Sequence, residues 1–157
     1  MQWLTRSDAK IDRLAAAWLI RRFVDHEAEF LYAAPAEVDA VVARTGATPY
    51  DTAGAELGDI DGRCTFESIL LKYGLTDAGL VLMARIVHGA DKASEVPDPP
   101  AQAEGLKAII LGYCEAHDED PARLAAILGM FDALLAWCRR EVRQAERLAA
   151  ARARGVT

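Results

Sequence analysis

The sequence predicts a mainly α-helical protein, a single compact domain of about six helices with at most a small two-stranded β element. Apolar residues recur at helical spacing through most of the chain. Two short strand-like segments are separated by one helix-length segment, an order that suits a small parallel pair. A length of 157 residues is typical of one domain, so we predict that residues 1–157 form one unit.

The first half of the chain supplies two helices and both predicted strands. Residues 8–24 carry an apolar stripe at helical spacing, made of Ile11, Leu14, Ala15, Trp18, Leu19 and Phe23. Residues 29–33 and 48–52 are the predicted strands. Between them, a helix begins at Pro35, a residue that suits the first helical turn, and ends at Gly46, which suits a C-terminal cap.

The second half supplies the other four helices. Residues 53–64 contain three glycines and no periodicity, which indicates a loop. Residues 92–100 contain three prolines and are predicted as a surface connection. Apolar stripes and capping residues place the remaining helices at residues 65–72, 76–88, 101–116 and 121–152.

Charge is unevenly distributed along the chain. The net charge is −6, but residues 139–157 hold six arginines and two glutamates, a local charge of +4. This arginine-rich end of the last helix is either a surface for nucleic acid or another anionic partner, or a solvated helix end that suits the helix dipole. The acidic net charge and the lack of a helix-turn-helix pattern make nucleic acid the weaker partner. The length of the last helix favours a homo-oligomer.

Several functional classes are disfavoured by what the sequence lacks. Its apolar runs are far shorter than the ~20 residues of a membrane span, and its charged N-terminal segment has no apolar leader. We therefore expect a cytoplasmic protein without a membrane partner. No P-loop, G-x-G-x-x-G or G-x-S-x-G pattern is present, which argues against nucleotide hydrolysis, dinucleotide binding and serine hydrolase chemistry.

The densest group of polar residues lies between residues 51 and 67, where glycines alternate with carboxylates. Glycines allow tight turns, so the carboxylates can converge, and a divalent cation would offset their mutual repulsion. His88 and Asp91, where the helix predicted over residues 76–88 ends, could join these carboxylates. The predicted metal ligands are Glu56, Asp59, Glu67, His88 and Asp91. The alternative is a solvated acidic loop and a histidine that caps its helix end.

Arginines offer a second kind of site, for an oxyanion. Guanidinium groups bind such anions through paired N–H donors. The predicted anion-binding residues are Arg6, Arg13, Arg21, Arg22 and Arg63. Cys64 lies in the polar loop and is the candidate redox thiol, whereas the other two cysteines are expected to be buried and reduced. An enzyme, either a metal-dependent hydrolase or a thiol-dependent oxyanion reductase, is therefore an alternative to a binding module, although no nucleophile–base pair is visible.

A set of short motifs is similar to a known family. The motifs are W-L-T-R (3–6), I-D-R (11–13), W-L-I-R-R-F (18–23), A-E-F-L (28–31), E-L-G (56–58), G-A-D (89–91), F-D-A-L (131–134) and A-W-C-R (136–139). In this order they resemble the ChrB-type chromate-resistance domain, from about Trp3 to Arg139. The resemblance implies an accessory or sensing domain that binds a metal ion or a chromate-like oxyanion and supports a chromate response. It also implies a separately encoded N-terminal-type partner domain and, as a further alternative, a DNA-binding regulator of a chromate efflux operon.

The chain departs from the family pattern at two places. Relatives typically carry Cys-Pro before the tryptophan of W-L-I-R-R-F, where this chain has Ala16 and Ala17. They also carry a histidine after E-L-G, where this chain has Asp59. An oxygen ligand in place of a nitrogen ligand would shift the preference of a metal site toward harder cations.

Overall fold

A three-stranded parallel sheet is formed by the N-terminal third of the chain in the computed structural model, which describes residues 1–155. The last two residues of the predicted domain, 156 and 157, lie outside the described part. Strand β1 (Gln2–Arg6) is central and pairs with β2 (Glu29–Ala33) on one side and β3 (Thr48–Pro49) on the other. The register aligns Leu4 with both Leu31 and Pro49.

The central strand is an element that the sequence analysis did not predict, since at most two strands were expected. Three consecutive residues of β1, Trp3, Leu4 and Thr5, are buried. A strand covered on both faces lacks the alternation of apolar and polar residues by which strands are recognised. The two predicted strands are therefore present, but they flank β1 and do not pair with each other.

Six α-helices within residues 1–155 follow the predicted order and confirm the mainly α fold class. A π-helical turn (Ile20–Val24) continues α1, and a 3-10 turn (Pro35–Glu37) precedes α2. The helices are α1 (Ile11–Leu19), α2 (Val38–Thr45), α3 (Thr65–Lys72), α4 (Ala78–Asp91), α5 (Gln102–Ala116) and α6 (Asp120–Ala153). The first helix starts later than predicted, because Asp8 has a positive φ of 59° and its backbone N–H donates to Asp120.

The core lies between α1 and the helices α3, α4 and α6. Trp18 is its centre and contacts the rings of Phe66 and Phe131 with centroid distances of 6.3 Å and 5.9 Å. Its indole N–H donates to Asp132 at 2.8 Å, and Arg22 binds the same carboxylate through two N–H groups. The W-L-I-R-R-F and F-D-A-L motifs therefore meet as a structural unit that joins α1 to α6.

The last helix, α6, has the length and apolar composition of a membrane-spanning helix, as judged from those two properties alone. Its first half packs into the core through Leu124, Ile127, Phe131, Leu135 and Cys138. Packing against the core accounts for these apolar residues. Beyond Cys138, none of the described residues of α6 is buried, so the arginine-rich end lies outside the core.

Candidate functional site

The acidic loop, residues 51–64, contacts the end of α4 although the two are distant in sequence. Asp59 forms an ion pair with Lys92, which directly follows α4, and accepts a hydrogen bond from Thr65 at 3.3 Å. Ser68 donates to the carbonyl of Gly58 at 2.7 Å and holds the loop against α3. The predicted convergence of the loop and the His88 helix is therefore present in the structure.

Cys64, Glu67 and His88 lie at the centre of this junction. Each offers one ligand atom, and the three atoms all lie within 4.8 Å of one another. Cys64 is the N-cap of α3 and Glu67 is its third residue, and each side chain is paired with the backbone N–H of the other in a capping box. The Glu67 carboxylate accepts from the Cys64 N–H at 2.9 Å. The start of α3 thus fixes two of the three side chains.

His88 lies between two carboxylates. Its Nδ1 is 3.0 Å from the Glu67 carboxylate and its Nε2 is 3.3 Å from the Glu95 carboxylate. The imidazole is almost fully buried, with 5% of its side chain exposed, whereas Glu95 lies on a 3-10 turn (Ala93–Glu95) at the surface. Glu95 was not among the predicted ligands; the signal available in the sequence was an acidic residue seven positions after His88.

An opening of about 380 Å³ leads from solvent to this group. It is lined by Glu67, His88 and Glu95, together with Arg85, Gly62 and the Val96–Pro97 segment. A second, larger pocket of about 610 Å³ lies over the acidic loop and is lined by Arg6, Asp51, Asp59 and the loop backbone. Small solutes can therefore reach Glu67 and His88 through the first opening, whereas the second pocket lies over the loop.

A buried carboxylate, that of Asp12, holds the start of α3. Asp12 is fully buried in α1 and accepts from the backbone N–H groups of Thr65 and Phe66 at 2.7 Å and 3.1 Å. Burial, followed by the charge of Asp51, raises the pKa of Asp12 to about 7. Burial also raises the pKa of Asp91, with further contributions from Asp51 and Asp59. These groups share a region of low solvation in which added negative charge is costly.

The five predicted metal ligands occupy different places at the junction. Glu67 and His88 belong to the three-residue group. Asp59 is held by Lys92, and Asp91 is half-buried near Asp51 and Asp59. Glu56 instead forms an exposed ion pair with Lys72, on the other flank of the loop.

The predicted anion-binding arginines are dispersed. Arg13 binds the Asp51 carboxylate at 2.8 Å, and Arg6 reaches the same carboxylate at 3.5 Å and the Asp51 carbonyl at 3.1 Å. Arg63 pairs with Asp61 at 3.2 Å. Two of the predicted five, Arg6 and Arg13, therefore brace the base of the acidic loop.

The remaining two arginines make their contacts away from the loop. Arg21 donates to the carbonyl of Ala28 at 2.6 Å and lies over the ring of Phe30. Arg22 binds Asp132 on α6. Their partners lie in or next to β2 and in α6, and the helical spacing of residues 8–24 carries no information about such contacts.

The candidate redox thiol, Cys64, is buried, with 1% of the residue exposed. Burial raises the pKa of the Cys64 thiol well above its ordinary value, with a further contribution from the nearby Asp12 charge. A free thiol in this environment stays protonated and is a poor nucleophile. Cys138 is also buried and Cys114 half-buried, and all three thiols are free.

Comparison with known proteins identifies the relatives of this domain. A family model described as "ChrB, C-terminal domain" matches residues 3–138. The chain belongs to this family. Membership confirms the resemblance inferred from the motifs.

A curated relative is similar over most of the chain. Protein ChrB of Cupriavidus metallidurans is 35% identical over 134 residues, which are 85% of this chain and 39% of the relative. The chain thus spans about two fifths of the length of that ChrB protein. No solved structure matches the chain.

Proposed function

We propose that this ChrB-type domain serves chromate resistance as a metal-responsive accessory or sensing module, with its ligand bound where the acidic loop meets the end of α4. The observation that carries the proposal is the convergence of the loop, the start of α3 and the end of α4 on carboxylates and His88. A divalent cation offsets the repulsion between such groups. It would also join segments that are far apart in the chain, which makes the fold responsive to the ligand.

A cation suits the junction better than a chromate-like oxyanion does. An oxyanion would need guanidinium groups with N–H donors directed toward it, and the predicted arginines already bind protein acceptors. Arg13 is paired with Asp51, Arg63 with Asp61, and Arg6 with Asp51 as well. Direct binding of chromate would first have to displace these carboxylates.

The enzymatic alternatives have weaker support. Reduction of an oxyanion by Cys64 requires an accessible thiolate, and the Cys64 thiol is buried and protonated. DNA binding by the arginine-rich end of α6 is supported only by the local charge of residues 139–157. The C. metallidurans relative is longer than this chain. This supports a role in which a second domain, on the same or another chain, responds to ligand binding by this one.

Thermal unfolding of the purified chain tests this proposal. A ligand that binds only the folded state at a hundred times its Kd stabilises it by about 2.7 kcal/mol. For a domain of this size, that corresponds to a rise in Tm of roughly 5–10 °C. We expect this rise with Zn²⁺ or Co²⁺ and not with chromate or the sulfate control. If neither a panel of divalent metals nor chromate changes the Tm, the domain has no ligand of this kind.

A cellular experiment links the junction to resistance. The variant Glu67→Gln removes a charge at the junction, whereas Glu146→Gln removes one from the exposed end of α6. In a chromate-sensitive host that depends on the complete resistance system, we expect Glu67→Gln to lower the tolerated chromate concentration. If both variants tolerate the same chromate concentration, the charge of Glu67 at the junction plays no part in the chromate response.

A further inference from the structure

We propose that Cys64, Glu67 and His88 form a binding site for one divalent transition-metal ion of the zinc class. This inference rests on the proposed function and names its ligand atoms and metal. The thiol sulfur, one carboxylate oxygen and one imidazole nitrogen lie within 4.8 Å of one another. Three atoms around an ion with bonds of about 2.0–2.3 Å are separated by less than twice that length, so small side-chain movements complete the site.

Two of the three ligands are preorganised by the start of α3. The capping box fixes the relative position of Cys64 and Glu67. The buried carboxylate of Asp12 anchors the same turn from α1, because it accepts the N–H groups of Thr65 and Phe66. Such supporting hydrogen bonds lower the conformational cost of assembling a metal site.

The hydrogen bonding of His88 supplies independent support. A neutral imidazole has one N–H and one lone pair. Nε2 is in hydrogen-bonding contact with Glu95 at 3.3 Å, and Nδ1 lies 3.0 Å from the Glu67 carboxylate. If Nε2–H donates to Glu95, the lone pair of Nδ1 lies close to a carboxylate oxygen. A cation beside Nδ1, shared by His88 and Glu67, removes this conflict, while Nε2–H donates to Glu95.

Glu95 then acts as a positioning residue. Histidine ligands of metals commonly donate their second N–H to a carboxylate, which fixes the tautomer and the orientation of the ring. The 3-10 turn that carries Glu95 places this carboxylate on the far side of the imidazole from Cys64 and Glu67. The pair His88–Glu95 reproduces that arrangement with residues from the end of α4 and the segment that follows it.

The ligand set selects the class of metal. Sulfur and imidazole ligands favour zinc-like ions, whereas Mg²⁺ and Ca²⁺ prefer oxygen ligands throughout. Three protein ligands leave one tetrahedral position for water or another small ligand. The opening of about 380 Å³, which is lined by Glu67 and His88, gives solvent access to that position. On binding, the thiol S–H bond breaks, a metal–sulfur bond forms and the proton passes to solvent.

The test uses Co²⁺ as a spectroscopic substitute for zinc on the metal-free full chain. A thiolate ligand gives Co²⁺ an intense sulfur-to-cobalt charge-transfer band, and a tetrahedral site gives strong visible bands. We expect both in the wild type at one Co²⁺ per chain, with loss of both on addition of Zn²⁺. Cys64→Ser should lose the charge-transfer band, whereas Cys138→Ser, a matched change of a second buried thiol, should retain it.

Glu95→Gln provides a readout that separates positioning from folding. Loss of such a partner weakens metal binding by about ten- to a hundredfold, so the Co²⁺ titration should shift by that factor while the charge-transfer band stays in place. His88→Gln should abolish the tetrahedral visible bands. Circular dichroism of each metal-free variant checks that the chain is folded.

The outcomes distinguish this inference from the proposed function. If wild-type protein gains thermal stability with metals but shows no thiolate band, the ligand set is wrong and the metal-responsive function stands. The same conclusion follows if folded Cys64→Ser keeps the wild-type spectrum. If no divalent metal binds at all, both proposals fail.

Discussion

The Asp12→Asn variant offers a quantitative test of the buried centre that supports the site. The pKa of Asp12 is raised from 3.8 to about 7 in the folded chain, mainly by burial. Since a tenfold change in proton affinity corresponds to about 1.4 kcal/mol, ionising Asp12 costs the folded state about 4 kcal/mol. The backbone N–H groups of Thr65 and Phe66 stabilise the ionised carboxylate, and the cost is what is left after their contribution.

The sign of the pH dependence follows from proton linkage. Below about pH 4, Asp12 is protonated in the folded and the unfolded chain, so it adds no pH dependence. Between pH 4 and 7, the unfolded chain loses this proton first, so the folded state binds more protons and its stability falls as pH rises. Above about pH 7, Asp12 is ionised in the folded and the unfolded chain, so it no longer changes the stability with pH. Asparagine cannot ionise, so the variant lacks this contribution.

Urea unfolding at a series of pH values measures the effect. We expect the unfolding free energy of the wild type, relative to Asp12→Asn, to decrease by about 4 kcal/mol between pH 4 and pH 8. The local cost of placing an amide beside two N–H donors is the same at each pH and cancels in this comparison. Asp39→Asn, at an exposed position of α2, is the matched control. The reasoning is refuted if the difference in unfolding free energy between the wild type and Asp12→Asn stays constant with pH, or if the wild type gains stability relative to the variant as pH rises. Either result would show that the N–H groups of α3 hold Asp12 ionised.

Two further variants test the contacts that hold α6 in place. Asp132→Ala leaves the buried indole N–H of Trp18 without its acceptor, and we expect the unfolding free energy to fall by about 1–3 kcal/mol. Arg123→Met removes a buried guanidinium that binds the Ala9 carbonyl and the Asp120 carboxylate, at an expected cost of about 3–5 kcal/mol. Both are measured by urea unfolding against Arg147→Met, on the exposed end of α6, and costs no larger than that control would contradict the assigned contacts.

Local sequence patterns were sufficient to predict most of the helices. Apolar stripes and capping residues located the six helices of residues 1–155, and α6 begins at Asp120, one residue before the predicted start at residue 121. Boundaries were less accurate where a cap depends on a neighbouring residue. The helices predicted to begin at residues 65 and 76 begin at Thr65 and Ala78, and their caps are Cys64 and Asp77.

The junction itself was predictable because its two halves carry local signals. Glycines and carboxylates marked the loop, and a histidine near a helix end marked α4. The roles of Asp12 and Glu95 were not predictable in this way. Asp12 acts on backbone N–H groups 53 and 54 residues away, and Glu95 acts through a turn whose path depends on the packing of α4. Such contacts are set by tertiary structure and leave no periodic pattern.

Arg22 illustrates the same limit for charged residues. From the sequence, a guanidinium on the apolar row of the first predicted helix either extends to solvent or meets a carboxylate or a bound anion. The structure supplies the carboxylate of Asp132, 110 residues later. Helical spacing left these alternatives open, and only the fold determines that the partner of Arg22 belongs to the protein. Self-association through α6 and the cytoplasmic location stay predictions.

The most direct test of the account is a crystal structure of the chain grown with Zn²⁺, with anomalous diffraction measured on both sides of the zinc absorption edge. We predict one strong zinc peak per chain between the Cys64 sulfur, the Glu67 carboxylate and His88 Nδ1, at about 2.0–2.3 Å from each. A map with no peak at this junction, or with zinc only at surface carboxylates such as Glu56, would contradict it.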